Sequence, residues 1–230
     1  MTEAVLEGKA VRMTLGQGAA SVDALKGVDI ALHSGELTLL MGPSGSGKTT
    51  LLSILGCVLT PSEGTITVAG RATRRLGGEA LAALRRAHIG FIFQSYHLFP
   101  TLSAQENVEL VLDVRGERSA NVRKRAHDAL AAVGIGHKAA NLPARLSGGE
   151  QQRVAIARAL VGNPSIILAD EPTAALDSEN GHSVMEVLAD VAKERAVMVV
   201  THDPRTLPFA DRIVRIEDGL ITGEERPRNA

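Results

Sequence analysis

Residues 37–56 read LTLLMGPSGSGKTTLLSILG, and this stretch decides the fold. Leu37–Met41 is an apolar run of strand length and Lys48–Gly56 is helical in pattern. Between them Gly42, Pro43, Ser44, Gly45, Ser46, Gly47, Lys48 and Thr49 follow the spacing G-x-x-x-x-G-K-[ST]. Glycines at 42, 45 and 47 let the backbone curl until its N–H groups point inward at phosphate oxygens, and the helix start adds its partial positive charge. Lys48 is then placed to reach the β and γ phosphates of a nucleoside triphosphate. The Thr49 hydroxyl suits Mg²⁺, a hard cation that prefers oxygen ligands. Thr50 continues the helix start and is counted with the nucleotide-binding residues.

Outward from this segment, strand-length apolar runs alternate with helical stretches, as in α/β proteins with a mostly parallel sheet. Strands are expected at Thr65–Val68, Ile89–Phe93, Ser165–Ala169, Ala196–Val200, Ile213–Ile216 and Leu220–Thr222, with a short helix in LGGEALAALRRA at 76–87. Ahead of the core, Lys9–Leu15 and Ala24–Leu32 read as two strands of an antiparallel β element, joined by a turn in GQGAAS, 16–21. From Ser103 to Val133 the pattern is helical, with Ser103 and Glu106 spaced as a capping pair and Val122, Ala126, Leu130 and Val133 at helical intervals. Residues 95–145 therefore read as a helical subdomain inserted in a core formed by 1–94 and 146–230. Helices over Ser147–Gly162 and Ser178–Glu194 complete that core, and the tail EERPRNA reads as frayed.

The 230 residues are 44% hydrophobic and 22% charged, with 25 basic against 26 acidic groups, which excludes disorder over the whole chain. That balance also argues against a nucleic-acid partner, which calls for a basic excess. No apolar run approaches the 18 or so residues of a membrane span. The start carries Glu3 and Glu7 where a secretory signal has basic residues, so the chain is expected in the cytosol. The single cysteine, Cys57, permits no internal disulfide and reads as an inert core thiol.

Two further strings carry chemistry. IILADE, Ile166–Glu171, ends an apolar strand in adjacent carboxylates. Ligands of open α/β sheets bind at the carboxyl ends of strands, so Asp170 is placed to hold the Mg²⁺ shell through water. Glu171 is the candidate general base toward an attacking water, with Pro172 expected to hold it extended. LSGGEQQR, Leu146–Arg153, enters a helix with Ser147 as N-cap and Gly148 and Gly149 leaving first-turn N–H groups uncovered, a second anion-binding helix start.

Taken together and in this order, the motifs resemble those of the ATP-binding subunit of ABC transporters, over essentially the whole chain. Gly42–Thr49 resembles the Walker A loop, Gln94 the Q-loop glutamine, and Leu146–Glu150 the LSGGQ signature, here LSGGE. Ile166–Asp170 resembles Walker B with Glu171 beside it, Ala174–Asp177 the D-loop, and His202 the switch histidine. Alone, Gln94 and His202 would be weak signals. The resemblance implies that Gln94 helps hold Mg²⁺ and couples the site to the helical subdomain, and that His202 bonds the γ-phosphate and orients the water near Glu171. It also implies that ATP lies between two copies head to tail, with Ser147, Gly148, Gly149 and Glu150 of one facing Gly42–Thr49 of the other and Asp177 at the seam. A second copy and an integral membrane permease are the expected partners, the chain lying on the cytoplasmic face of the inner membrane.

Within that family, GFIFQSYHLFPTLSAQENV and the segment from Ser147 to Asp177 are most similar to the lipoprotein-release and macrolide-export group. This implies export or extraction of a lipid-like, lipoprotein or small amphipathic cargo. The cell-division type, in which nucleotide state regulates a membrane partner without transport, is the alternative. Tyr96, His97 and Leu98 lie where the family docks its membrane partner. Two positions depart from the pattern: Ala174 opens the D-loop, and no aromatic residue precedes Phe91, leaving Leu15 to cover the adenine by apolar contact.

Overall fold

The computed structural model describes residues 4–16, 21–118 and 121–227. Most of the expected turn in 16–21 and the last three residues of the tail lie outside them. Two sheets organise the chain. The first is antiparallel, in the order β2-β1-β4-β5, from β1 (Ala4–Leu15), β2 (Val22–His33), β4 (Glu63–Val68) and β5 (Arg71–Ala72). The second has six strands in the order β10-β9-β3-β8-β7-β6. Its strands are β3 (Glu36–Met41), β6 (Ile89–Ile92), β7 (Ile166–Asp170), β8 (Ala196–Thr201), β9 (Arg212–Glu217) and β10 (Leu220–Glu225). All pairings are parallel except β9 with β10.

The central strands are apolar throughout because both faces are covered. Leu37, Leu39 and Met41 of β3 join Val197 and Val199 of β8 on one face, under the helices. Leu40, Met198 and Val200 point to the other, where α1 (Lys48–Leu55) and the antiparallel sheet lie. The helical face carries α3 (Ala104–Val114), α4 (Val122–Ala132), α5 (Gly148–Leu160) and α6 (Ser178–Ala192), with α2 (Gly78–His88) before β6. Apolar residues of α3 and α4, among them Val108, Leu112, Ala126 and Leu130, share one core with Val154 and Ile156 of α5.

Differences from the expected elements have local causes. β1 begins at Ala4 rather than Lys9, because a register shift between Gly8 and Val11, with Ala10 at φ +48°, breaks the alternation that marks a strand. β4 likewise starts at Glu63, and the two-residue edge strand β5 was not anticipated. The buried Arg212 side chain ties the sheets together, donating to Ala31 O of β2 at 2.6 Å and to both carboxylate oxygens of Glu224 at 2.8 and 2.7 Å.

Candidate functional site

Register brings the chemistry to one edge. Met41 pairs with Thr201, Asp170 with Val200 and Ile92 with Ala169, so β3, β8, β7 and β6 end nearly level. The next residues out are Gly42, His202, Glu171 and, two beyond β6, Gln94. An open cleft of about 820 Å³ lies over these ends. Pro43, Ser44, Gly45, Gly47, Lys48, Thr49, Thr50, Gln94, Asp170, Glu171 and His202 all line it.

The loop is a close-fitting cradle. A Cβ on Gly42 would overlap the Ile216 carbonyl oxygen, and one on Gly47, which is at φ +99°, would approach Ala24 O to 2.5 Å. Only glycine fits the backbone there. Lys48, 8% exposed, donates from Nζ to Gly42 O at 2.7 Å and to Pro43 O at 2.6 Å, which fixes its ammonium inside the loop. Ser46 is buried, and its Oγ has no hydrogen-bond partner among the described residues.

The two carboxylates separate. Asp170 Oδ1 accepts from Thr49 Oγ1 at 3.4 Å, and burial raises its carboxyl above the ordinary aspartate range, with the Thr49 bond opposing the rise. Glu171 turns the other way, its Oε1 lying 2.6 Å from His202 Nδ1, while its buried Oε2 has no partner among the described residues. Glu171 is 14% exposed and His202 71%. Glu171 is not extended, as expected beside Pro172, but left-handed at φ +45°. Its N–H still donates to Val200 O at 2.9 Å, continuing the β7–β8 ladder, while its C=O accepts from Ala174 N–H at 3.2 Å and closes a turn. Those two bonds outweigh the local preference before proline.

The signature lies elsewhere. Ser147, Gly148, Gly149 and Glu150 are not among the cleft lining. Ser147 caps α5, its Oγ accepting from Glu150 N–H at 3.3 Å while Glu150 Oε2 accepts from Ser147 N–H at 2.8 Å. Asp177 caps α6 by accepting from Asn180 N–H at 2.9 Å, which holds its carboxyl below the usual range. Asn180 fits against Gly149, where a Cβ would meet its Oδ1 at 2.5 Å, so the α5 and α6 starts sit side by side. Tyr96 and His97 are both left-handed, at φ +59° and +48°, and Arg158 of α5 donates to Tyr96 O at 2.6 Å and His97 O at 2.5 Å.

Leu15, expected to cover the adenine, lies at the far end of the cleft, but sequence reasoning passed over its neighbours there, Val22, Asp23, Ala24, Lys26, Asp218 and Gly219. The signal was available for two of these. Asp218-Gly219, at φ +46° and +77°, is the hairpin turn between β9 and β10, a dipeptide that such turns favour. Gly219 O accepts from Lys26 N–H at 2.9 Å and Gly219 N–H donates to Ser46 O at 3.1 Å, binding that turn to the loop.

A glycine cradle between strand and helix, with carboxylates ending a nearby parallel strand, defines a P-loop nucleoside triphosphatase. The chain belongs to the ABC transporter family, whose model matches residues 25–174, and is its ATP-binding, ATP-hydrolysing domain. It is 45% identical, over 98% of its length, to the macrolide export ATP-binding/permease protein MacB 1 of Aeromonas hydrophila. It is 45% identical, over 97%, to MacB of Hahella chejuensis. It spans about a third of those proteins, 35% and 34%. Among solved structures it is similar to the dimeric ATP-binding cassette MJ0796 in a post-hydrolysis state bound to ADP and Pi, 43% identical at a TM-score of 0.89, covering 98% of this chain and 100% of that one. The cassette cbiO1 of Clostridium perfringens, part of the cbiONQ transporter complex, is 27% identical at 0.86, covering 98% and 90%.

Proposed function

We propose that the chain drives a membrane-embedded exporter by binding and hydrolysing ATP between two head-to-tail copies. The permease partner and an amphipathic cargo are inferred from the MacB relatives. Among the described residues no helix is long and apolar enough to cross a membrane, so the inference puts the membrane part in other sequence. The observation that carries the reading is Glu171, bonded through one oxygen to His202 at 2.6 Å and with its other oxygen buried, without a partner among the described residues, beside the glycine cradle.

In this reading the N–H groups of Gly42–Thr49 and the Lys48 ammonium hold the β and γ phosphates, with Pro43, Ser44 and Thr50 shaping the loop. The oxygens of Thr49, Gln94 and Asp170 suit Mg²⁺, and among the described residues no cluster of His, Cys, Asp and Glu forms a competing cage. Bound there, Mg²⁺ would neutralise phosphate charge. Glu171 Oε2 accepts a proton from water as the water oxygen bonds to the γ-phosphorus and the bond to the ADP oxygen breaks. His202 donates from Nδ1 to Glu171 Oε1, and with a proton on both ring nitrogens it also donates from Nε2 to a γ-phosphate oxygen. Ser147–Gly149 of the second copy meet the same phosphate, with Asp177 at the seam, and residues 95–145 carry the change to the permease.

Glu171→Gln should keep ATP binding and lose turnover by about 10²- to 10⁴-fold. Equilibrium binding and phosphate release measure the two, and turnover near the parent level would remove Glu171 from this role.

A further inference from the structure

An acid occupies the third position of α5, inside the helix start that the preceding reading aims at a phosphate. Glu150 completes the capping box with Ser147, but a helix start binds an anion through uncovered N–H groups and partial positive charge, and a carboxylate one turn in opposes it. Lys138 changes that balance. Its Nζ pairs with Glu150 Oε1, and the two side chains are only 32% and 25% exposed. The Lys138 bond is also the leading cause that keeps the Glu150 carboxyl below the ordinary glutamate range.

The ammonium is delivered from fixed backbone. Lys138 ends a single helical turn, Gly136–Lys138, in which its N–H donates to Ile135 O at 3.0 Å and its C=O accepts from Asn141 N–H at 2.9 Å. The start of α3 holds the same segment, Ala104 N–H donating to Asn141 O at 2.8 Å and Gln105 N–H to Ala139 O at 2.9 Å. Charge and cap are separable, because glutamine at the third helical position makes the same two box bonds without a charge.

We propose that Lys138 is a positioning residue for ATP hydrolysis: by neutralising Glu150 it keeps the Ser147–Gly149 helix start able to accept the γ-phosphate held by a second copy. This rests on the head-to-tail reading above. The test uses the Glu171→Gln chain, whose ATP-dependent dimerisation is followed by analytical ultracentrifugation after adding Lys138→Met, Glu150→Gln, both, or Lys138→Arg.

Without Lys138 a bare carboxylate faces a phosphate at each of two sites, so Lys138→Met should weaken dimerisation about 10- to 100-fold. ATP binding by the monomer and its melting temperature should hardly move. Glu150→Gln alone should dimerise at least as well as the parent, and combined with Lys138→Met it should restore dimerisation. Lys138→Arg should retain it. If both single neutralisations weaken dimerisation alike and the double variant is no better than Lys138→Met, the pair is structural and the inference is overturned. If the parent binds ATP yet stays monomeric before any change at Lys138, the two-copy reading fails and takes the inference with it.

Discussion

Burial raises the Asp170 carboxyl, with Glu171 adding to the rise and the Thr49 hydroxyl and Lys48 opposing it. A carboxyl whose folded value lies above its unfolded one is fully compatible with folding only below the unfolded value. As pH rises through the folded value, ionisation costs stability. Without nucleotide, Asp170→Asn should therefore melt higher than the parent at neutral pH, and the gap should close as pH falls below about 4. The same change should cut Mg²⁺-dependent turnover by about 10- to 100-fold, as loss of an outer metal partner does. A melting point below the parent's at neutral pH would contradict the burial argument. At the cleft's other end, Leu15 and Val22 are 41% and 64% exposed and offer apolar surface in place of an aromatic ring. Apolar contact distinguishes adenine from guanine poorly, so ATP and GTP should bind within about ten-fold of each other. Competition binding with the two nucleotides measures this, and strong adenine selectivity would show that the missing ring is immaterial. Contiguous spacing made Gly42–Thr49 and the pair Asp170–Glu171 legible in the sequence. The left-handed Glu171 was not, because a bond to Val200, 29 positions on, sets it.

Elements with a clear period were legible for the same reason that they are stable: their apolar residues fall on one side. Helix α3 carries the expected Ser103 and Glu106 capping box, and Ala104, Val108 and Leu112 on its inner face. Asn107 interrupts that face, fully buried. Its Oδ1 accepts from Phe99 N–H at 2.7 Å, and its Nδ2 donates to Phe99 O, Leu102 O and Ser103 O at 3.1, 2.9 and 3.0 Å. The side chain thereby gives Phe99 N–H and Leu102 O their partners, adds to the backbone bonds that Phe99 O and Ser103 O accept from Leu102 and Asn107 N–H, and positions the segment between Gln94 and α3. Asn107→Ala removes the side-chain partners of Phe99 N–H and Leu102 O and should cost about 2–4 kcal/mol of stability, read from urea midpoints. A loss under about 0.5 kcal/mol would mean that water takes over the bonds. Short helices at Pro143–Arg145 and Pro204–Phe209 escaped the sequence reading, since three to six residues show no period.

Across the whole molecule, the parallel order of β3, β8, β7 and β6 gathers the glycine loop, His202, both carboxylates and Gln94 at one edge, whereas α5 and α6 start away from the cleft. Sequence order gave the motifs but not this division, which depends on strand crossovers and on the packing of Gly149 against Asn180. One chain thus has a phosphate cradle and a separate capped helix start, and in the proposed reading each needs the other from a second copy. The rate should then depend on pairing. At concentrations where chains are mostly monomeric, turnover should rise with the square of chain concentration, about four-fold per doubling, and become proportional once dimers dominate. Dilution at saturating ATP, with phosphate release as the readout, measures this. Strict proportionality down to concentrations where sedimentation shows only monomers would mean that the cradle, Glu171 and His202 hydrolyse ATP unaided, leaving Ser147–Gly149 outside the reaction.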